Sequence, residues 1–182
     1  MVDSRDTRVR RDEYAVDDEK WMREFLAAHP AGVLGTVDDG QPFLTPLLFA
    51  HDAVAEALFV HLSPEGRTLE NVAGNPRVAF SVFEMGRIVP GVEAGSFDNE
   101  YASVTLFGAA DLLERTRPKH EALAQLMAKY APHLEPGEDY RPSTSDAVTE
   151  TAVIEVAVED WSAKRKTRPD DDGYRFGEVS ER

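Results

Sequence analysis

The chain of 182 residues contains no cysteine. This absence excludes a disulfide framework, a zinc–thiolate centre and a cysteine nucleophile. Histidine is scarce as well, and its five positions are His29, His51, His61, His120 and His133. No two of them have the close spacing of metal ligands, so the sequence predicts no metal site.

Long hydrophobic runs are also missing. No apolar stretch reaches membrane-spanning length, and the N-terminus shows no basic segment followed by an apolar one. We therefore expect a cytoplasmic protein without a membrane partner. Basic residues are few beside acidic ones, 20 against 34, which gives a formal net charge of −14. A field of this sign repels nucleic-acid backbones, so no nucleic-acid partner is expected.

What is present suffices for one folded domain, since 42% of the residues are hydrophobic. Residues 1–17 are dense in Asp and Arg and predict a polar N-terminal arm without packed structure of its own. The domain is expected over residues 18–166. Residues 167–182 predict an acidic C-terminal tail.

The hydrophobic periodicity predicts a mainly β fold with helices. Apolar residues at helical spacing predict helices from Asp18 to His29 and from Thr116 to Tyr130. Short apolar or alternating segments predict six strands, at residues 31–37, 42–50, 57–62, 77–83, 101–113 and 151–158. Residues 84–100 contain glycines and a proline and predict a long loop. Tight turns pair consecutive strands, and closure removes sheet edges, so we expect a six-stranded, Greek-key-like antiparallel barrel flanked by helices.

The polar loop after the third predicted strand has the composition of an anion site. Ser63 is a suitable N-cap and Pro64 suits the first position of a helix, so the following backbone N–H groups would favour an anion. Arg67 and Thr68 add a positive charge and a neutral donor, a combination suited to a phosphate monoester. The same residues would also make an ordinary capped surface helix. The loop alone leaves both interpretations open.

An ordered set of motifs carries a family resemblance: GTV at 35–37, PFLTPLLF at 42–49, LFVH at 58–61, GRT at 66–68, NPRVAF at 75–80 and YASVTLFG at 101–108. The chain resembles the FMN-binding split-barrel superfamily, and within it the pyridoxamine 5'-phosphate oxidase-like proteins of the nitroimidazole-resistance (Nim) type. The resemblance implies a homodimer with two FMN molecules at the subunit interface, each touched by both chains.

Carried over by matching positions, the resemblance also implies a set of site residues. The cofactor-binding residues would be Leu44, Thr45, Pro46, Leu47, Ser63, Arg67, Thr68 and Ser103. Thr68 stands where the family often has lysine. His61 would lie beside the flavin and orient or protonate a small acceptor, although a buried histidine bonded to a backbone carbonyl is the ordinary alternative.

The function implied is an FMN-dependent oxidoreductase that passes electrons from NAD(P)H to a small oxidised substrate such as a nitroaromatic. Two alternatives remain: a split barrel that binds F420 or haem, and a flavin-binding module without turnover. Pyridoxamine oxidases proper have further basic residues near the C-terminus for the substrate phosphate. Here that region reads WSAKRK at 161–166 and then turns acidic, so oxidation of vitamin B6 is not expected.

Overall fold

The computed structural model describes residues 7–169 and 173–178. In this part of the chain the α-helices are α1 (Glu19–Ala28), α2 (Arg67–Gly74), α3 (Thr116–Tyr130) and α4 (Ser145–Thr149). The β-strands are β1 (Gly32–Asp38), β2 (Gln41–Leu47), β3 (Ala50–Asp52), β4 (Ala57–Leu62), β5 (Arg77–Val89), β6 (Asp98–Leu112) and β7 (Ala152–Lys166). None of the described helices is long and apolar enough to cross a membrane.

The sheet curls into a barrel that stays open on one side. All seven strands are antiparallel, in the order β2-β1-β5-β6-β7-β4-β3. β2 and β3 are the two edges, yet only Leu48 and Phe49 separate them along the chain. Because so short a link spans at most about 10 Å, the sheet has to bend until its edges approach each other. The prediction of a mainly β fold with flanking helices is confirmed, as a split barrel.

The number of strands differs from the prediction because the segment 42–50 is not one strand. Phe49 turns inward at the break and is fully buried. Its amide donates to the hydroxyl of Tyr130 at 2.8 Å, a residue 81 positions away in α3. The Tyr130 hydroxyl thus satisfies a backbone group that a neighbouring strand would otherwise bind. The predicted count of six strands is therefore wrong, since the break creates β3 as a seventh.

The core of the barrel lies under α1, as the helical spacing predicts. Asp18 caps this helix by accepting from the amides of Lys20 and Trp21 at 3.0 and 3.2 Å. Met22, Phe25 and Leu26 face inward and are buried. They pack against inward-facing residues of the strands, among them Leu34, Phe80, Val104, Leu106 and Ile154.

The segment 84–100 is a strand hairpin in which the predicted loop is confined to residues 90–97, between the end of β5 and the start of β6. Ile88 and Val89 of β5 pair with Asn99 and Asp98 of β6. These pairs lie outside the part of β5 that pairs with β1 and the part of β6 that pairs with β7. Gly86, one reason for expecting a loop, lies at a register shift in this hairpin. A Cβ there would meet the Cβ of Glu100 at 2.6 Å, so the close approach requires glycine.

The N-terminal arm packs on the barrel where the structure describes it. β7 continues past its last pair with β4, which leaves a free strand edge. The Val16 amide donates to the Ala163 carbonyl at 3.1 Å, and Ala15 bridges Lys164. These residues of the arm therefore pack against the barrel, where they cover a strand edge that would otherwise be open. Residues 1–6 lie outside the described part.

The C-terminal tail is attached to the β5–β6 hairpin. Tyr174 and Ile88 exchange two backbone hydrogen bonds, at 2.7 and 2.9 Å. Residues 170–172 and 179–182 of the predicted tail lie outside the described residues. The division of the chain into arm, domain and tail stays a prediction.

We expect acid to weaken this attachment. The Arg87 guanidinium donates to Glu100 through Nε at 2.9 Å and Nη2 at 2.8 Å. The amide of Arg168 donates to the same carboxylate at 2.8 Å. These bonds, that of Arg87 foremost, lower the pKa of Glu100 from 4.5 to about 2. A carboxylate whose pKa is lowered on folding stabilises the folded state above pH 4.5, and this contribution is lost as the pH falls toward 2.

Hydrogen exchange at the amides of Ile88 and Tyr174 measures the effect. In the wild type, protection of these amides should fall between pH 4.5 and about 2, after correction for the intrinsic exchange rate. In Glu100→Gln it should be low already at neutral pH and change little on acidification. Equal protection of both proteins at neutral pH would contradict the prediction.

Candidate functional site

α2 begins at Arg67, whereas the sequence predicts a start at Pro64. Gly66 is the N-cap residue and has a φ of 132°, a conformation that in practice only glycine adopts. Ser63 is exposed in the connection before the helix, so its predicted capping role is wrong. The amides of Arg67 and Thr68 have no acceptor among the described residues. They are available to an anion at the positive end of the helix dipole.

The contact that defines the candidate site joins β2 to this helix start. Thr45 Oγ1 and Thr68 Oγ1 lie 2.8 Å apart, within hydrogen-bonding distance. The side chain of Thr68 is almost fully buried. Beside it, the exposed guanidinium of Arg67 lies 5.2 Å from the centroid of the Phe43 ring, in cation–π range. The structure thus brings Thr45, Arg67 and Thr68 together, and their role in cofactor binding stays a prediction.

β2 offers unpaired backbone groups next to the helix start. Pro42 and Pro46 have no N–H, so neither can occupy a hydrogen-bonded pair with β1. Leu44 has the same orientation, because backbone groups alternate in direction along a strand. The carbonyls of all three residues and the Leu44 amide therefore point away from β1. β2 is an edge of the described sheet, so the Leu44 amide and the carbonyls of Leu44 and Pro46 are open to a ligand. The Pro42 carbonyl accepts from Gln41 Nε2 at 3.0 Å.

The outer face of the sheet beside β2 is apolar and exposed. Leu44 and Phe83 are each 68% exposed, although both are large hydrophobic residues on regular strands. Pro46 belongs to the same face and is also exposed. Leu47 instead points toward the core and packs against it. Such a face on a folded domain is typical of an interaction surface.

Ser103 lies on this outer face but far from β2. It pairs with Phe83 and with Lys164, in the middle of the sheet. Three strand spacings separate β6 from β2, about 14 Å. Within one chain, Ser103 therefore lies outside the cluster formed by Thr45, Arg67 and Thr68.

His61 is exposed on β4 and pairs with Val153 of β7. It shares a strand face with Phe59, which packs against Ala122 of α3. No described contact joins His61 to Thr45, Arg67 or Thr68. Its catalytic role stays a prediction.

Two further ionisable groups lie behind the β2–β3 break. Burial lowers the pKa of Lys129 to about 8, and its Nζ donates to the carbonyl of Leu26 at 2.9 Å. Burial also lowers the pKa of His51. In the described part of the chain, no three His, Cys, Asp or Glu side chains form a group that could hold a metal.

Sequence reasoning missed two buried polar residues near the site. Asn71 and Thr36 are each 1% exposed, and Asn71 Nδ2 donates to Thr36 Oγ1 at 2.9 Å. A signal was present in the sequence: Asn71 occupies the apolar stripe of its helix, between Thr68 and Val72. A polar side chain in such a stripe requires a partner.

These observations converge with a comparison against protein families. The model of the family described as pyridoxamine 5'-phosphate oxidase matches residues 18–165. The chain belongs to this family. The predicted membership of the split-barrel superfamily is thereby confirmed. A comparison with curated protein sequences gave no match.

Solved structures show the same fold as this pyridoxamine 5'-phosphate oxidase-family chain. A candidate 5-nitroimidazole antibiotic resistance protein from Bacteroides thetaiotaomicron is similar with a TM-score of 0.70 and 22% identity, over 83% of this chain and 86% of that one. A flavocytochrome from Azotobacter vinelandii has a TM-score of 0.77 and 24% identity, over 96% and 86%. An FAD- and haem-binding protein from Mycobacterium smegmatis has a TM-score of 0.76 and 24% identity, over 87% and 76%. The resemblance to the Nim type is confirmed at the level of the fold.

Proposed function

We propose that this protein is an FMN-dependent oxidoreductase of the Nim-like type. The observation that carries the proposal is the contact between Thr45 and Thr68, 2.8 Å between hydroxyl oxygens. It places a strand edge with open backbone groups beside a helix start with open amides. A ligand with a polar ring at one end and a phosphate at the other would contact both.

The residues at the helix start fit a phosphate group. Arg67 is the only basic residue between His61 and Arg77, and it is exposed at the N-terminus of α2. The free amides of Arg67 and Thr68 would donate to the same anion. The Thr68 hydroxyl is already engaged with Thr45. We therefore assign phosphate binding to these two amides and the guanidinium, and the alignment of β2 with α2 to the Thr68 side chain.

The residues along β2 fit a flat aromatic ring with a polar edge. The Leu44 amide and the carbonyls beside it supply donor and acceptor groups, and the exposed Leu44 and Pro46 side chains supply an apolar surface. The chemistry supplied by bound FMN would be two-electron transfer from a reduced nicotinamide to a small oxidised substrate such as a nitroaromatic. In this proposal His61 donates a proton to the substrate or orients it.

A homodimer would complete the site. The exposed apolar face that carries Leu44 and Phe83 is suited to a second copy of the chain, because symmetric pairing buries it on both sides. Ser103, about 14 Å from β2 within one chain, would then act from the partner on the other flavin. This arrangement reconciles the predicted role of Ser103 with its position.

Purification tests the proposal directly. We expect a yellow protein with the visible absorption of an oxidised flavin, with FMN released on denaturation and identified by mass spectrometry. The bleached spectrum after addition of NADH or NADPH, and its recovery with a nitroaromatic, would establish the electron path. Light scattering should give the mass of a dimer.

Other results would point elsewhere. A colourless protein that takes up no added FMN would refute the proposal. Haem, FAD or F420 in the denatured extract would establish the corresponding split-barrel alternative. Bound FMN without any oxidation of NAD(P)H would favour a flavin-binding module.

A further inference from the structure

A buried polar chain links the two ends of the proposed cofactor site. The Asn71 side chain donates from α2 to the Thr36 hydroxyl of β1 at 2.9 Å. That hydroxyl in turn donates to the Phe43 carbonyl of β2 at 3.4 Å. Asn71 and Thr36 are each 1% exposed, so the chain is shielded from water. We refer to these three residues as the Asn71 chain.

Covering the barrel does not require a polar residue at this position. The buried residues of α2 are Thr68, Asn71 and Val72, and a leucine in place of Asn71 would bury more apolar surface. A hydrogen bond is directional, however, and an unpaired buried amide is costly. The Asn71 chain therefore favours one position of α2 relative to β1 and β2 over neighbouring ones.

Both ends of the Asn71 chain adjoin the site. Arg67 lies one helical turn before Asn71, about 6 Å along the helix axis. Leu44 directly follows Phe43 in β2. A shift of α2 would thus change the separation between the phosphate donors at the helix start and the open backbone groups of β2.

We propose that Asn71 is a positioning residue that fixes this separation to the length of FMN. The inference rests on the proposed function. A ligand that binds both the helix start and β2 gains binding energy from both only when the distance between them matches the distance between its own two binding groups. FMN engages both, whereas riboflavin lacks the phosphate and engages only the β2 side. Loss of Asn71 should therefore weaken FMN binding and spare riboflavin binding.

Fluorescence titration of the cofactor-free protein with each flavin tests this. In Asn71→Leu we expect the Kd for FMN to rise about tenfold and the Kd for riboflavin to change less than about twofold. Asn75→Ala is the matched control, because Asn75 also joins this helix to β1, donating to the Val37 carbonyl at 3.3 Å. It does so at the helix end away from Arg67, so both Kd values should stay within about twofold of the wild type.

A double variant separates positioning from stability. Thr36→Val with Asn71→Leu removes both polar partners, so neither is left unpaired and the free energy of unfolding should return toward that of the wild type. The Kd for FMN should stay raised. If Asn71→Leu alone fails to fold, the Kd values of the double variant for FMN and riboflavin are compared with those of the wild type instead.

The outcomes are distinguishable. FMN affinity that recovers together with stability in the double variant, or Asn71→Leu with the wild-type Kd for FMN, would overturn the positioning role alone. Equal losses for FMN and riboflavin would overturn it as well. A wild type that binds neither flavin would overturn the proposed function, and the inference with it.

Discussion

Replacing Arg67 by alanine is expected to raise the Kd for FMN about 30-fold, which corresponds to about 2 kcal/mol. Arg67 is the one cation at the start of α2, and its guanidinium can bind a phosphate in bidentate fashion. The overall charge of −14 repels the dianionic phosphate. Without Arg67, only two backbone amides and the helix dipole oppose that repulsion.

Titration of the cofactor-free variant with FMN and with riboflavin measures the effect. Riboflavin binding should stay near the wild-type value, because the loss falls on the phosphate. The Kd of Arg67→Lys for FMN should lie between those of the wild type and Arg67→Ala, since lysine keeps the charge but not the planar donor geometry. Arg117→Ala is the control, an exposed arginine of α3 paired with Glu121. If Arg67→Ala and Arg117→Ala bind FMN equally well, the phosphate lies elsewhere.

The largest effect on stability is expected from Phe80→Ala. Phe80 is fully buried on β5, and its ring centroid lies 4.9 Å from that of Phe49 at the break between β2 and β3. The ring also fills the space beside Gly32, where a Cβ would meet Phe80 Cε1 at 2.4 Å. A packed aromatic ring enclosed in this way leaves a cavity when removed. We expect a loss of about 3–5 kcal/mol in the free energy of unfolding.

Denaturant unfolding of the cofactor-free protein measures this loss. Phe176→Ala serves as the control, because Phe176 is 84% exposed in the C-terminal segment. Its replacement should change the free energy of unfolding by less than about 0.5 kcal/mol. A loss below about 1 kcal/mol in Phe80→Ala would show that the core around Phe49 repacks, contrary to the prediction.

Local patterns predicted most of the secondary structure. The helix over Thr116–Tyr130 has the predicted bounds, and α1 begins within one residue of its predicted start. Asp38 and Gln41 flank the Asp39–Gly40 turn, where both central residues have positive φ, as a two-residue hairpin turn of type I′ requires. Periodicity and turn chemistry depend only on neighbouring residues, so the sequence shows them directly.

Two competing signals surround the start of α2. Ser63 and Pro64 form a good helix start by composition, but Gly66 takes a positive φ that determines the cap. The hairpin over 84–100 was missed for a related reason. Its glycines and proline favour a loop, which forms only over 90–97, whereas the pair between Arg87 and Glu100 and the contact of Ile88 with Tyr174 join the strands on either side.

The sequence by itself determined the mainly β character, the order of most elements and the family, because these depend on hydrophobic alternation and short motifs. Only the tertiary structure decided where β2 ends and which polar groups form the site. Tyr130 stops β2 from 81 residues away, Thr45 meets Thr68 across 23 residues, and Asn71 meets Thr36 across 35. Such contacts arise from the curl of the whole sheet, so no local pattern in the chain encodes them.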